Sequence, residues 1–298
     1  MSNMCGEAAA LLTAVCWTFN SIVFSMAGRR VGSVTVNHIR LLVALVAMFP
    51  VHMAAHGSLL ATGQGWRSTA YLALSGIVGY ALGDAFLFEA FVLIGARLSM
   101  LLMLLTPIFG SVMAWLFLGE YLKPLEITAI LIAVSGIAMV IGSNRSVNLG
   151  ERRNFRLGVL LGVGAAAGQA GGLLLSKLGM ASGASPIAAN QIRVIAALAV
   201  IAPLFFLNGR LGRDLEKMRD RRALGYITSG ALVGPVLGVI LSLVAISHAH
   251  IGVASTLMSL SPVLLLPVAR YLYRETITWP AIAGTGIALT GSAMLFFI

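Results

Sequence analysis

The sequence predicts an all-α integral membrane protein of about ten transmembrane helices, built as two inverted five-helix repeats. Three observations predict it. Of 298 residues, 59% are hydrophobic and 10% are charged, against about 25% charged in an ordinary soluble domain. So few charges cannot cover a water-soluble particle of this size, and lipid must be the solvent for much of its surface. Apolar segments follow one another along the chain, each near the ~20 residues that cross a hydrocarbon core. Finally, Pro, Arg, Glu and Gly recur at a nearly constant offset between the two halves.

The apolar segments run over 8–27, 34–54, 68–93, 98–118 and 124–142, then 157–178, 186–207, 223–247, 252–272 and 277–297. The first is too long for a signal peptide and no positive charge precedes it, so it is kept as a membrane helix. Two linkers are polar: GSNRSVNLGERRNF over 142–155, and the charged NGRLGRDLEKMRDRR over 208–222 at the membrane surface. The chain therefore divides into a first repeat at 1–143, a polar linker at 144–156 and a second repeat at 157–298.

Asn37-His38-Ile39-Arg40 matches Asn190-Gln191-Ile192-Arg193 at an offset of 153, as Pro50 matches Pro203. Pro107 and Pro262, Glu120 and Glu275, and Gly136 and Gly291 pair at an offset of 155. Five helices per repeat is an odd number, so the second repeat enters the membrane upside down. The known use of that architecture is alternating access about a central site.

The net charge of +10 belongs to the loops and implies no nucleic acid, because no nucleic-acid module is present. Loops 1–2, 3–4, 5–6, 7–8 and 9–10 hold fifteen of the twenty Lys and Arg, and the opposite face holds Arg67, Lys123 and Lys177. The positive-inside rule makes the rich face cytoplasmic and places both termini outside the cell (inner) membrane. Cys5 and Cys16 would lie about 16 Å apart on one helix, too far for a disulfide. No metal-ligand spacing or cofactor motif is present. His248 and His250 lack a carboxylate or Cys to complete a metal set. The Gly-rich runs GVGAAAGQAGG and GTGIALTG lack the following Lys-Ser/Thr of a phosphate loop and read as close helix packing.

In each half a Ser/Thr- and Pro-containing helix ends in Gly119-Glu120 or Arg274-Glu275 and is followed by a Gly-containing final helix. This paired pattern resembles the EamA repeat of the drug/metabolite transporter superfamily, over nearly the whole chain. The resemblance implies ten helices and movement of small metabolites, commonly export of amino acids or related compounds. Many relatives keep both termini in the cytoplasm; the charge count here argues the opposite.

Asp84 lies well inside the third segment, where a carboxylate must be paired, protonated or facing water. It reads as a proton-coupling or substrate-amine site, or as half of a salt bridge locking two helices. Counted from the cytoplasmic end, Asp84 lies about 13 Å deep and Arg40 about 10 Å, so the two can meet. Glu89 is rotated about 140° from Asp84 and reads as an interfacial residue that snorkels. Arg40 and Arg193, at equivalent places in the two halves, would draw an anionic group towards a central cavity, or else snorkel to lipid head groups. Asn37, His38, Asn190 and Gln191 flank them and would line the same entrances. Trp17, Asn20 and Gln169 place polar atoms mid-membrane, as an aromatic and amide wall or as interhelical hydrogen bonds. Pro107 and Pro262 are candidate gating kinks.

The reading is a secondary transporter, an exporter, of a small organic metabolite such as an amino acid or amine, coupled to protons through Asp84. The expected partners are the substrate and membrane lipids, and the expected unit is a functional monomer. The alternatives are a membrane-embedded enzyme acting on lipids, which would need clustered acids or a nucleophile–base set, and a lipid-binding or assembly protein using the basic 208–222 loop.

Overall fold

A computed structural model describes residues 2–119, 121, 123–143, 149–207, 217, 219–248, 251–272, 274, 277–295 and 297. Among them every regular element is a helix. The first half holds α1 (Ser2–Val31), α2 (Ser33–His56), α3 (Trp66–Gly76), a π-helix π1 (Ile77–Gly83), α4 (Asp84–Leu102), α5 (Leu105–Leu118) and α6 (Pro124–Ser143). The second holds α7 (Leu149–Met180), α8 (Pro186–Leu207), α9 (Arg221–Ala231), π2 (Leu232–Gly238), α10 (Val239–His248), α11 (Ile251–Met258), α12 (Ser261–Tyr271) and α13 (Trp279–Met294). α7 starts inside the polar stretch read as a linker over 144–156. The charges at Arg152 and Arg153 do not interrupt that helix.

Among the described residues six stretches are long and apolar enough to cross a membrane: Met4–Val31, Ser33–His56, Trp66–Leu102, Pro124–Ser143, Arg152–Met180 and Pro186–Pro203. Leu105–Phe117 and Thr256–Tyr271 are shorter apolar helices. The 37 residues of Trp66–Leu102 would reach about 55 Å as one straight helix, nearly twice the hydrocarbon core. They do not run straight. Gly95 takes φ 80°, ψ 163°, a conformation that costs glycine little and other residues much. The helix breaks there, between the segments expected at 68–93 and 98–118.

Each half then breaks just before its proline. Pro107 has no N–H to give Met103, and the backbone tightens instead, with Leu104 N–H donating to Leu101 and Thr106 N–H to Met103. Before Pro262, Ser259 donates to Thr256 and Leu260 to Leu257 in the same three-residue steps. The repeat also includes a feature that residue matching does not reveal. π1 and π2 begin at Ile77 and Leu232 and end at Gly83 and Gly238, an offset of 155 at both ends.

The halves interlock reciprocally. In α3, Ser68 and Ser75 donate their hydroxyls to the Gly179 and Gly172 carbonyls of α7 at 2.6 and 2.5 Å. Gly76 lies directly against the Arg193 backbone of α8. In turn α9 and π2 lie on α1, with Gly230 against Val23 and Phe24 and Gly234 against Asn20. α6 and α13 form a symmetric pair: Gly136 meets Ala288 and Gly284, and Gly291 meets Ala133 and Ala129. Shifted by 155, each contact becomes the other. Small residues let these backbones approach, as between helices in lipid.

Contacts also define two faces. Arg30, at the end of α1, pairs with Asp220, just ahead of α9, at 2.7 Å. At the other face His56, ending α2, is hydrogen-bonded to Ser185, just ahead of α8, at 2.8 Å. α1 and α7 therefore end on opposite faces. Between the faces Phe24, Phe88, Phe91, Ile227 and Leu265 form a buried core from both halves.

Candidate functional site

α2 carries Asn37 and Arg40 three residues apart, and α8 carries Asn190 and Arg193 at the same spacing, so each pair shares a helix face. All four are buried, as is Asp84, the first residue after π1. One nitrogen of Arg40, Nη2, donates to Asp84 Oδ2 at 2.6 Å and to Asn37 Oδ1 at 3.0 Å. The other carboxylate oxygen, Oδ1, accepts the Gln169 amide at 2.6 Å. Gln169 Nε2 also reaches the Gly79 carbonyl at 3.3 Å. Asp84 thus bonds to α2 of its own half and to α7 of the other.

Tyr80 of π1 stands at the centre. Its ring centroid lies 4.3 Å from the Arg193 guanidinium and 5.7 Å from that of Arg40. Its hydroxyl donates to Asn190 Oδ1 at 2.5 Å, and its carbonyl accepts from Asn37 Nδ2 at 3.3 Å. Phe88 closes the far side of Arg40 at 5.0 Å. Such aromatic faces attract a desolvated guanidinium. The Nε atoms of both arginines are buried without a hydrogen-bond partner among the described residues.

Six of the residues picked from the sequence therefore come together: Asp84, Arg40, Gln169, Asn37, Arg193 and Asn190. The sequence reading missed Tyr80 and Gly79. A tyrosine in an apolar segment looks like any interfacial aromatic, and its position four residues before Asp84 was the available signal. Trp17 and Asn20 lie at the related place against π2, beside Gly238 and Gly234. Asn20 Oδ1 is buried there without a partner. Pro107 and Pro262 sit at the helix breaks, outside the cluster.

The Glu89 Oε2 accepts the Ser33 hydroxyl at 2.5 Å, where α4 crosses the start of α2. His38 turns to the Val34 and Ile201 carbonyls, at 2.6 and 3.3 Å. Gln191, fully buried, bonds the Leu59 carbonyl and the Ala61 N–H of the loop after α2. Glu120, Glu275, His250 and the side chain of His248 lie outside the described residues.

Beside the cluster, α2, α8, π2 and the start of α10 leave a small, partly open recess bounded by Met48, Asn190, Pro235, Val236 and Val239. Apart from Asn190, its walls are apolar. A neutralised acid and a second guanidinium thus meet between the two halves; among the described residues no group of three or more His, Cys, Asp and Glu is placed to hold a metal ion.

The model of the EamA-like transporter family matches this chain over residues 4–142 and 156–297. No curated protein matches it in sequence. A solved structure described only as a crystal structure of a protein is 14% identical, with 96% of this chain and 95% of that one aligned at a TM-score of 0.60. That likeness is one of fold alone.

Proposed function

The chain belongs to the EamA-like transporter family, and from that premise we propose that it is a secondary transporter exporting a small organic metabolite of the amino-acid or amine class. It works as a monomer of ten membrane passes in two inverted repeats, in the cell (inner) membrane, with the Arg-rich loops cytoplasmic and both termini outside. The observation that supports this is the bond from Gln169 to Asp84, beside the Asp84–Arg40 pair. It joins the two halves at a buried place, where rocking of one half against the other would make and break it.

Asp84 is the coupling group in this reading. It faces Arg40 from α2, Gln169 from α7 and, beyond Tyr80, Arg193 from α8. Protonating it removes the charge that holds Arg40 and frees the halves to move; deprotonation resets the lock. Pro107 and Pro262 are the flexing points.

Counterflow in proteoliposomes tests the reading. Labelled amino acids or amines should exchange against the same compound inside, and a proton gradient should drive net flux in the wild type. In Asp84→Asn the exchange should persist while the gradient loses its effect. No exchange by well-folded protein with any of them would sink the transporter reading. Gradient-driven flux surviving in Asp84→Asn would remove Asp84 as coupling group. A reporter at the C-terminus that proves cytoplasmic would reverse the orientation.

A further inference from the structure

The two arginines are equivalent in sequence and unequal in surroundings. Arg40 has two oxygen partners, Asp84 and Asn37. In the second half the offset of 155 puts Val239 where Asp84 would be, so no carboxylate is present. The offset of 153 puts Asn190 where Asn37 would be, but its Oδ1 already accepts the Tyr80 hydroxyl. Arg193 has lost both partners of its twin. Only 9% exposed, it forms no ion pair among the described residues, and its Nε, like that of Arg40, is unsatisfied among them. Leaving a buried guanidinium so placed is costly, and the cost is removed when an anion arrives.

The π1 backbone packs closely beside it. Gly79 has no side chain, and a Cβ there would lie 3.3 Å from Arg193 Nη2 and 3.8 Å from Gln169 Oε1. One helical turn from Arg193, Asn190 borders the small apolar recess of Met48, Pro235, Val236 and Val239.

We propose that Arg193 is the receptor for the carboxylate of the transported molecule. A guanidinium offers parallel N–H donors that match a carboxylate. One unpaired cation balances one negative charge, which fits a carboxylate and not a phosphate dianion. Arg40 and Asp84 satisfy each other and hold no substrate charge in this state. The inference rests on the transporter reading and narrows it: the substrate is an acid or zwitterion, and its amine is dispensable.

The test is a thermal-shift titration of the purified protein with each L-amino acid and its amide, followed by counterflow of the best binders in zwitterionic-lipid vesicles, where no lipid anion competes. Binding should require the free carboxylate. The amide of the best acid should bind about 10- to 100-fold more weakly, the range for losing a charged hydrogen bond. Arg193→Gln should lose a similar factor for the acid and nothing for the amide, while Arg193→Lys retains part. Gly79→Ala, which crowds Nη2 without changing charge, should weaken acid binding too, and it covers the case of Arg193→Gln failing to fold. Amides binding and exchanging as well as acids would overturn the inference and leave the transporter intact. Acids that bind through Arg193 but never exchange would overturn the transporter reading and leave the site. A panel in which nothing binds or exchanges sinks both.

Discussion

The side-chain amide of Gln169 donates to Oδ1 of Asp84 at 2.6 Å, so the first helix of the second half holds the residue that follows the π turn of the first. With Arg40 on the other oxygen, both carboxylate oxygens are occupied and the acid is shared between the halves.

Removing either partner should cost stability in graded amounts. Gln169→Leu leaves Oδ1 bare and should destabilise by about 1–3 kcal/mol. Asp84→Asn leaves Arg40 a buried cation without its anion and should cost about 3–5 kcal/mol. Adding Arg40→Gln to Asp84→Asn should recover much of that loss, since the stranded charge goes with it. Unfolding of the purified variants by heat or detergent reads all three. A double variant no better than Asp84→Asn would show that the pair is not the source of the loss.

The membrane class, the doubling and the meeting of Arg40 with Asp84 were legible in the sequence for physical reasons. Apolar length measures the bilayer, and depth along a helix follows from rise per residue. Depth says nothing about rotation or about which helix crosses which. Hence Gln169 was recognised as polar and mid-membrane but not as Asp84's partner, and the bond of Glu89 to Ser33 was not foreseen. Trp17 and Asn20 were grouped with Gln169 by depth, yet the two-fold relation places them at π2. The π turns were invisible, because no residue pattern in 77–83 or 232–238 marks a wide turn. They set the direction in which Tyr80 points.

Close approach of the last helices in each half makes a second prediction. A Cβ at Gly136 would run into the Ala288 and Gly284 backbone, whereas at Gly286 it would meet nothing within 4 Å. Gly136→Val should destabilise by about 1–3 kcal/mol through overpacking. Gly286→Val, on the same helix pair, should change little. Equal effects of the two in a thermal unfolding assay would mean that α6 and α13 do not pack through this face.

At the Arg-rich face the Asp220 carboxyl is held below the ordinary aspartate range. The hydrogen bond from Arg30 is the largest cause, followed by the backbone N–H of Ala223 at the start of α9. A carboxyl whose folded-state pKa is depressed contributes stability above its unfolded value, about 3.9, and loses it as pH falls through the folded value. The pair is exposed, so the effect is small and salt-sensitive. The wild type should melt above Asp220→Asn at neutral pH in low salt, and the gap should close as pH drops below that of an ordinary aspartate. A gap independent of pH from neutrality to acid would remove the ion pair as its cause.

Beside the His56–Ser185 bond, a buried amide fastens the opposite face. Gln191 donates to the Leu59 carbonyl at 2.8 Å and accepts the Ala61 N–H at 2.7 Å, so the loop after α2 is pinned to α8 of the other half. His52 adds a bond from Nδ1 to the Ser58 carbonyl, and its ring stacks on His56 at 4.6 Å. Any opening between α2 and α8 at this face must first release Gln191. A protected loop amide exchanges its hydrogen only when it opens, so exchange at 57–65 reports that release. Gln191→Leu removes both bonds while keeping the side chain's bulk, and should speed exchange in this segment without changing the α6–α13 pair. A ligand that favours closure of this face should slow exchange in the wild type and have less effect in Gln191→Leu. Unchanged exchange at Ala61 in the variant would show that the amide is not the fastening and that backbone packing alone shuts the face.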